Sequence, residues 1–273
     1  MKKILLVSGC SFTDKNFYSG VHPEMDTSYL KWPELLAKKL DMDCINLGQS
    51  GAGNEYIYSS LLETILETKD KSQIGLVMPA WSQCQRKDYQ EGYSYILNNQ
   101  YGLIAGWRYG HRKQERVDPN GDVFSWIRKS LRYYISLQTL CERYNIPYKQ
   151  FQMISLYDGW INGLAKPDFE IKANLDNPDF VKKYTYPGNV KKDRPKCQKI
   201  MMDYEPYIDV KNFIGWPTAD SIGGFHIEQK TLRMTGQDRK SDYDIDCLLS
   251  EEDVHPNEKG HQKIAEFLYD RLG

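Results

Sequence analysis

The chain has 273 residues, with 36 Lys plus Arg against 37 Asp plus Glu and a formal net charge of -1. That balance lacks the basic excess of a general nucleic-acid-binding protein, and a chain of this length buries enough apolar surface to fold without disulfides or a structural metal. The six cysteines show no CxxC pair and no zinc spacing, and no run of about 18 apolar residues marks a membrane span.

In chain order, Ile4–Ser8 is a short apolar run ending at Gly9, the pattern of a buried strand. The apolar stretch of the opening MKKILLVSG is too short for a secretory signal. The expected location is therefore the cytoplasm, or the host cytoplasm or virion for a phage-encoded protein. Trp32, Leu35, Leu36 and Leu40 fall at helical spacing, with Pro33 tolerated in the first turn. Cys44–Leu47 reads as a second strand, followed by the glycine-rich Gly48–Asn54. Ile57, Leu61, Leu62, Ile65 and Leu66 give Glu55–Thr68 one apolar helix face, and Ile74–Ala80 is a third strand. Residues 83–121 lack simple periodicity and read as an insertion or lid. Asp122 is the expected cap of a long helix reaching about Tyr144, and Tyr148–Ile154 is a fourth strand. Residues 155–250 read as a second insertion, with a fifth short strand near Tyr207–Phe213. Asn257–Leu272 closes the chain as an amphipathic helix. The 20 tyrosines and 6 tryptophans are read as core and loop filling.

Alternating strands and helices predict an open α/β sheet with helices on both faces, in one domain spanning 1–273. In such folds the ligand crevice lies beyond the carboxyl ends of the strands, so segments 9–13, 48–54, 81–86 and 154–160 carry the functional expectation.

Gly9-Cys10-Ser11 sets a serine at a tight turn just after the first strand. A serine hydroxyl is a weak nucleophile until a base takes its proton. Near the other end, Asp253-Val254-His255-Pro256 offers a histidine with carboxylates at Asp253 and Glu252, either of which can orient the ring. Asn46-Leu47-Gly48-Gln49-Ser50-Gly51-Ala52-Gly53-Asn54 presents backbone N–H groups to an anion, as an oxyanion hole or a phosphate site would. Its G-x-x-G-x-G order is not a nucleotide fingerprint. His22, His111 and His226 read as surface or satisfied histidines, and His255 and His261 do not have metal-pair spacing, so no metal is predicted.

Together these segments resemble the blocks of the SGNH (GDSL-like) hydrolase superfamily: Gly9-Cys10-Ser11 for its first block, Gly51 for its second, Asp253-Val254-His255-Pro256 for its last. The resemblance implies a three-layer α/β/α sandwich, flavodoxin-like, with a short five-stranded parallel sheet and large inserts at about 83–121 and 155–250. It implies Ser11 as nucleophile, His255 as base and Asp253 as acid, with Cys10 as packing. The implied oxyanion donors are Ser11, Gly51 and a third-block residue. That block's usual asparagine is absent from Trp81-Ser82-Gln83-Cys84-Gln85-Arg86; Ser82 or Gln83 is expected to donate in its place, with Ser82 the residue assigned to the oxyanion hole. A Trp-Ser third block is similar to that of a divergent branch met among phage and bacterial proteins. Asn54, Trp81, Gln83, Arg86 and Glu252 are the candidates to contact substrate.

The implied activity is hydrolysis of an acyl ester, O-acetyl above all, on a carbohydrate or related small molecule, without cofactor, nucleic acid or membrane. The alternatives are an acyltransferase on the same triad and a non-catalytic phage structural or binding protein. Oligomeric state is left open.

Overall fold

A computed structural model describes residues 2–88, 91–98, 103–111, 118, 120–161, 186–234 and 243–272, with the backbone alone in 91–98, 103–111 and 159–160. The strands are β1 (Ile4–Ser8), β2 (Asp43–Asn46), β3 (Ile74–Trp81), β4 (Glu91–Asn98), β5 (Leu103–His111), β6 (Gln150–Gln152) and β7 (Phe213–Ile214). The helices are α1 (Trp32–Lys39), α2 (Asn54–Glu67), α3 (Val123–Arg143), α4 (Asp158–Ile161), α5 (Val190–Tyr204), α6 (Ile227–Thr231) and α7 (Glu258–Tyr269).

Five strands form one sheet in the order β2-β1-β3-β6-β7, and every neighbouring pair is parallel. All five residues of β1 are buried. A parallel strand covered on both faces reads as a continuous apolar run, and ILLVS is such a run. Helices cover both faces: α1 packs against α7, and α3 against α2 and α5. The expected five-stranded α/β/α arrangement is the observed one.

Two helix starts follow from local chemistry. Asp122 accepts the Ser125 amide at 2.8 Å while the Ser125 hydroxyl takes the Asp122 amide, a capping box for α3. The Asn257 side chain accepts the Gly260 amide at 3.0 Å and starts α7.

The two stretches expected as insertions contain secondary structure of their own. Within 83–121, β4 and β5 pair antiparallel, from Glu91 opposite His111 to Asn98 opposite Leu103, with a register shift at Tyr95/Ile96. Interspersed glycines and that shift break the strict alternation by which a strand is recognised in sequence. The stretch 155–250 supplies β7 to the main sheet and α5, which packs on α3. The fifth strand is shorter and later than Tyr207–Phe213: Glu205–Tyr207 and Val210–Asn212 are 3-10 turns that deliver the chain to Phe213–Ile214. Among the described residues no helix is long and apolar enough to cross a membrane.

Candidate active site

The turn after β1 closes on Cys10, whose carbonyl accepts the amides of Thr13 (2.8 Å) and Asp14 (3.0 Å). Ser11 sits at its apex. A Cβ on Gly9 would lie 2.2 Å from Thr13 Oγ1, so the turn requires glycine there. Cys10 is fully buried in the core while Ser11 is partly exposed, so of the adjacent pair only the serine faces the crevice.

The histidine comes from a second tight turn. Asn257 N donates to Cys247 O (3.1 Å), Leu249 N to His255 O (2.9 Å) and Ser250 N to Asp253 O (3.2 Å), folding 247–250 against 253–257. The tip leaves Glu252 exposed and turns Asp253 inward. His255 Nε2 lies 2.8 Å from Ser11 Oγ, and its Nδ1 lies 2.5 Å from Asp253 Oδ1. The same Oδ1 accepts the His255 amide at 3.2 Å. The rings of Phe12 and Phe17 stand 5.1 and 4.4 Å from the imidazole, centroid to centroid.

Burial alone would raise the Asp253 carboxyl; the hydrogen bond and charge of His255, with the Ser19 hydroxyl, outweigh it and hold the group at about 2. At neutral pH Asp253 is an acceptor only. It therefore takes Nδ1–H, which leaves Nε2 to accept from the Ser11 hydroxyl.

The glycine loop after β2 is fastened to the serine turn. Gln49 N donates to Gly9 O at 3.0 Å, and Asn46 Nδ2 to Thr13 O at 2.7 Å. Asp14 Oδ2 accepts both the amide (2.8 Å) and the hydroxyl (2.7 Å) of Ser50. Asp88 accepts the amides of Gly53 (3.0 Å) and Tyr56 (3.1 Å), capping α2 from outside because its N-cap, Gly53, has no side chain. Gly51, held between these clamps, has φ of 74°, the left-handed region that favours glycine. Among the described residues no hydrogen bond engages the amide of Ser11 or of Gly51.

Ser82, Trp81 and Asn54, expected to face the crevice, are all buried. Ser82 is fully buried; its amide donates to Asn54 Oδ1 at 2.7 Å, while among the described residues its hydroxyl has no hydrogen-bond partner. Trp81 is fully buried and donates Nε1–H to Gln150. Asn54 is 3% exposed and joins Ser82 to Ser130 Oγ. The strand β3 runs on through Trp81, which draws the segment after it into the core. Gln83 and Arg86 remain partly exposed, and Arg86 ties the third segment to the second by donating to Ala52 O (3.1 Å) and Gln83 Oε1 (3.3 Å). Glu252 does not back the ring; it lies 3.9 Å from His22. His226 is buried against Glu228 at 3.1 Å. The side chain of His111 lies outside the described residues.

Asp14, Phe17, Ser19 and Asp88 were not among the residues singled out in sequence. They carry no motif, and only the fold brings them to the site. Among the described residues no group of three His, Cys, Asp or Glu side chains converges to hold a metal ion. An open groove of about 580 Å³ at the amino ends of the strands, lined by Leu40, Met42, Leu76, Ile146, Pro147 and Leu272, contains none of the candidate residues.

The sequence matches no protein-family model and no curated protein. Among solved structures, the chain is similar to a protein assigned to the G-D-S-L lipolytic family from Desulfitobacterium hafniense DCB-2 (TM-score 0.46, 12% identity, 99% of each chain). It is similar to a carbohydrate acetylesterase family member from Sinorhizobium meliloti (TM-score 0.45, 14% identity, 99% of this chain and 97% of that one). It is also similar to the psychrotrophic esterase EstA from Pseudoalteromonas sp. (TM-score 0.42, 13% identity, 99% and 96%). Other solved structures that the chain is similar to are described as an SGNH hydrolase and an acylhydrolase, at 12% and 10% identity.

Proposed function

We propose that the chain is a serine esterase of the SGNH kind, with Ser11 as nucleophile, His255 as general base and Asp253 as the acid that orients it. The observation that carries this reading is the relay from Ser11 Oγ through His255 to Asp253, at 2.8 and 2.5 Å. As Ser11 Oγ attacks the ester carbonyl, its proton passes to His255 Nε2, and the ionised Asp253 stabilises the imidazolium. The carbonyl oxygen becomes an oxyanion, for which the amides of Ser11 and Gly51 are the donors. His255 then returns the proton to the leaving alcohol, and an acyl-serine remains. Water attacks it with His255 again as base, releasing the acid and restoring Ser11.

With no asparagine in the third block, the oxyanion relies chiefly on the two backbone amides, the Ser82 hydroxyl being buried. One donor lost is worth about 10²–10³ in rate, so turnover is expected to be slow on simple esters. The substrate proposed is an O-acetyl ester of a carbohydrate; support for this choice comes from the sequence blocks rather than from the geometry. The ordered relay speaks against a purely structural role.

Hydrolysis of p-nitrophenyl acetate tests the chemistry. Wild type should turn over and Ser11→Ala should not. Equal rates for the two would remove the reading. Acetate release from an acetylated xylo-oligosaccharide, compared with a longer-chain ester, tests the substrate class.

A further inference from the structure

Ser19 lies in the segment between β1 and α1, 234 residues from Asp253 in sequence, and is 1% exposed. Its Oγ stands 2.5 Å from Asp253 Oδ2, the oxygen that His255 does not use. An ionised carboxylate only accepts, so the hydroxyl proton belongs to this bond. The two remaining acceptor directions of Ser19 Oγ take the amides of Val21 (3.2 Å) and His22 (2.9 Å). With one donor and two acceptor positions all used, the hydroxyl cannot rotate its proton elsewhere without losing a bond.

A reciprocal contact fixes the same two segments. Ser250 Oγ accepts the amides of Glu252 (3.1 Å) and Asp253 (3.0 Å), so its proton points to His22 Nε2 at 2.8 Å. Each segment thus gives one serine hydroxyl to the other. Phe17, two residues before Ser19, packs its ring on His255.

We infer that Ser19 is a positioning residue for the reaction, holding the Asp253 carboxylate by Oδ2 so that Oδ1 stays on His255 Nδ1. The inference rests on the reading of Ser11, His255 and Asp253 as a triad. Without Ser19, a buried carboxylate oxygen loses its donor, and the carboxylate is free to turn. The ionisable groups around Asp253 are His255 on its own turn, His22 and Tyr29 on the facing segment, and the exposed Glu252 beside it.

The test compares wild type, Ser19→Ala, Ser19→Cys (similar volume, weak donor) and Ser19→Thr (donor retained). Ser19→Ala and Ser19→Cys should lose roughly tenfold in kcat with KM little changed, and Ser19→Thr should recover it. Carbon NMR of the Asp253 side-chain carboxyl supplies a readout that needs no turnover. Its titration should move to higher pH in Ser19→Ala and Ser19→Cys and return in Ser19→Thr. An Asp253 titration that is the same in all four proteins, or wild-type kcat in Ser19→Ala, overturns the inference. Wild-type protein that hydrolyses no ester sinks the esterase reading instead, and the carboxyl titration still decides the part played by Ser19.

Discussion

The Asp14 carboxylate holds Ser50 twice, by its amide at 2.8 Å and by its hydroxyl at 2.7 Å, while its other oxygen accepts the Asn16 amide at 2.9 Å. Asp14 is three residues past the candidate nucleophile and Ser50 immediately precedes Gly51. The turn that carries Ser11 and the loop that carries the second oxyanion donor are therefore joined by this side chain, alongside the bonds from Gln49 to Gly9 and from Asn46 to Thr13. Their separation is a property of these contacts together rather than of either loop alone.

Removing the Asp14 carboxylate should loosen that setting. Asp14→Ala is expected to lower kcat by roughly tenfold with a smaller change in KM, because the oxyanion donors matter most in the transition state. Steady-state kinetics on p-nitrophenyl acetate, with far-ultraviolet circular dichroism as the folding control, check this.

Asp88 works on the far side of the same loop, and its loss should appear first in stability. Asp88→Ala strips acceptors from the amides of Gly53 and Tyr56 at the buried start of α2. A lost cap of this kind costs about 1–2 kcal/mol. Urea unfolding should show a lower midpoint with an unchanged slope.

The sheet was legible where strands are continuous apolar runs. Ile4–Ser8 and Ile74–Trp81 are buried on both faces and read as such. The helices begun by Asp122 and Asn257 were legible because a side-chain cap is a local event. The β4–β5 pair and the two-residue β7 were not, since glycine-broken alternation and a two-residue strand leave no period to detect. At the site, Ser11, His255 and Asp253 stood out because they sit in short local motifs. Ser19, Asp14 and Asp88 did not, because their partners are 234, 36 and 35 residues away and nothing in the surrounding residues encodes the meeting. The burial of Ser82 was illegible for a related reason: no local residue marks whether β3 stops at Ala80 or continues through Trp81.

Stability should fall on the acid side, with a definite sign. Asp253 is held at about 2 against an ordinary 3.8, so the unfolded chain binds more protons between those values. The stabilisation is complete above the unfolded value and is lost as pH falls through the folded one. Its size is on the order of 2 kcal/mol. Asp253→Asn should flatten this part of the pH dependence in urea unfolding measured at about pH 5 and about pH 3. The same change should lower kcat by about 10⁴, since an amide no longer fixes the imidazole tautomer.

Glu228 should matter to folding without touching the chemistry. It is buried, accepts from Arg233 Nη2 at 2.8 Å and lies 3.1 Å from His226 Nε2, with Tyr243 bonded to it as well. Burial would raise its carboxyl, but His226 first, then Arg233 and Tyr243, hold it at about 2. Glu228→Gln removes the carboxylate that Arg233, His226 and Tyr243 share and should cost about 1–3 kcal/mol. Thermal and urea unfolding measure that loss, while the folded fraction should keep its wild-type kcat.

The most direct measurement is covalent labelling with a fluorophosphonate, followed by mass mapping of the modified peptide. Such a probe reports a serine activated by a base, without requiring the natural substrate. Wild-type protein should carry the label on Ser11, and His255→Ala should lose it while remaining folded. An unlabelled wild type, or labelling of Ser11 that does not depend on His255, would contradict the proposal that this imidazole activates this hydroxyl.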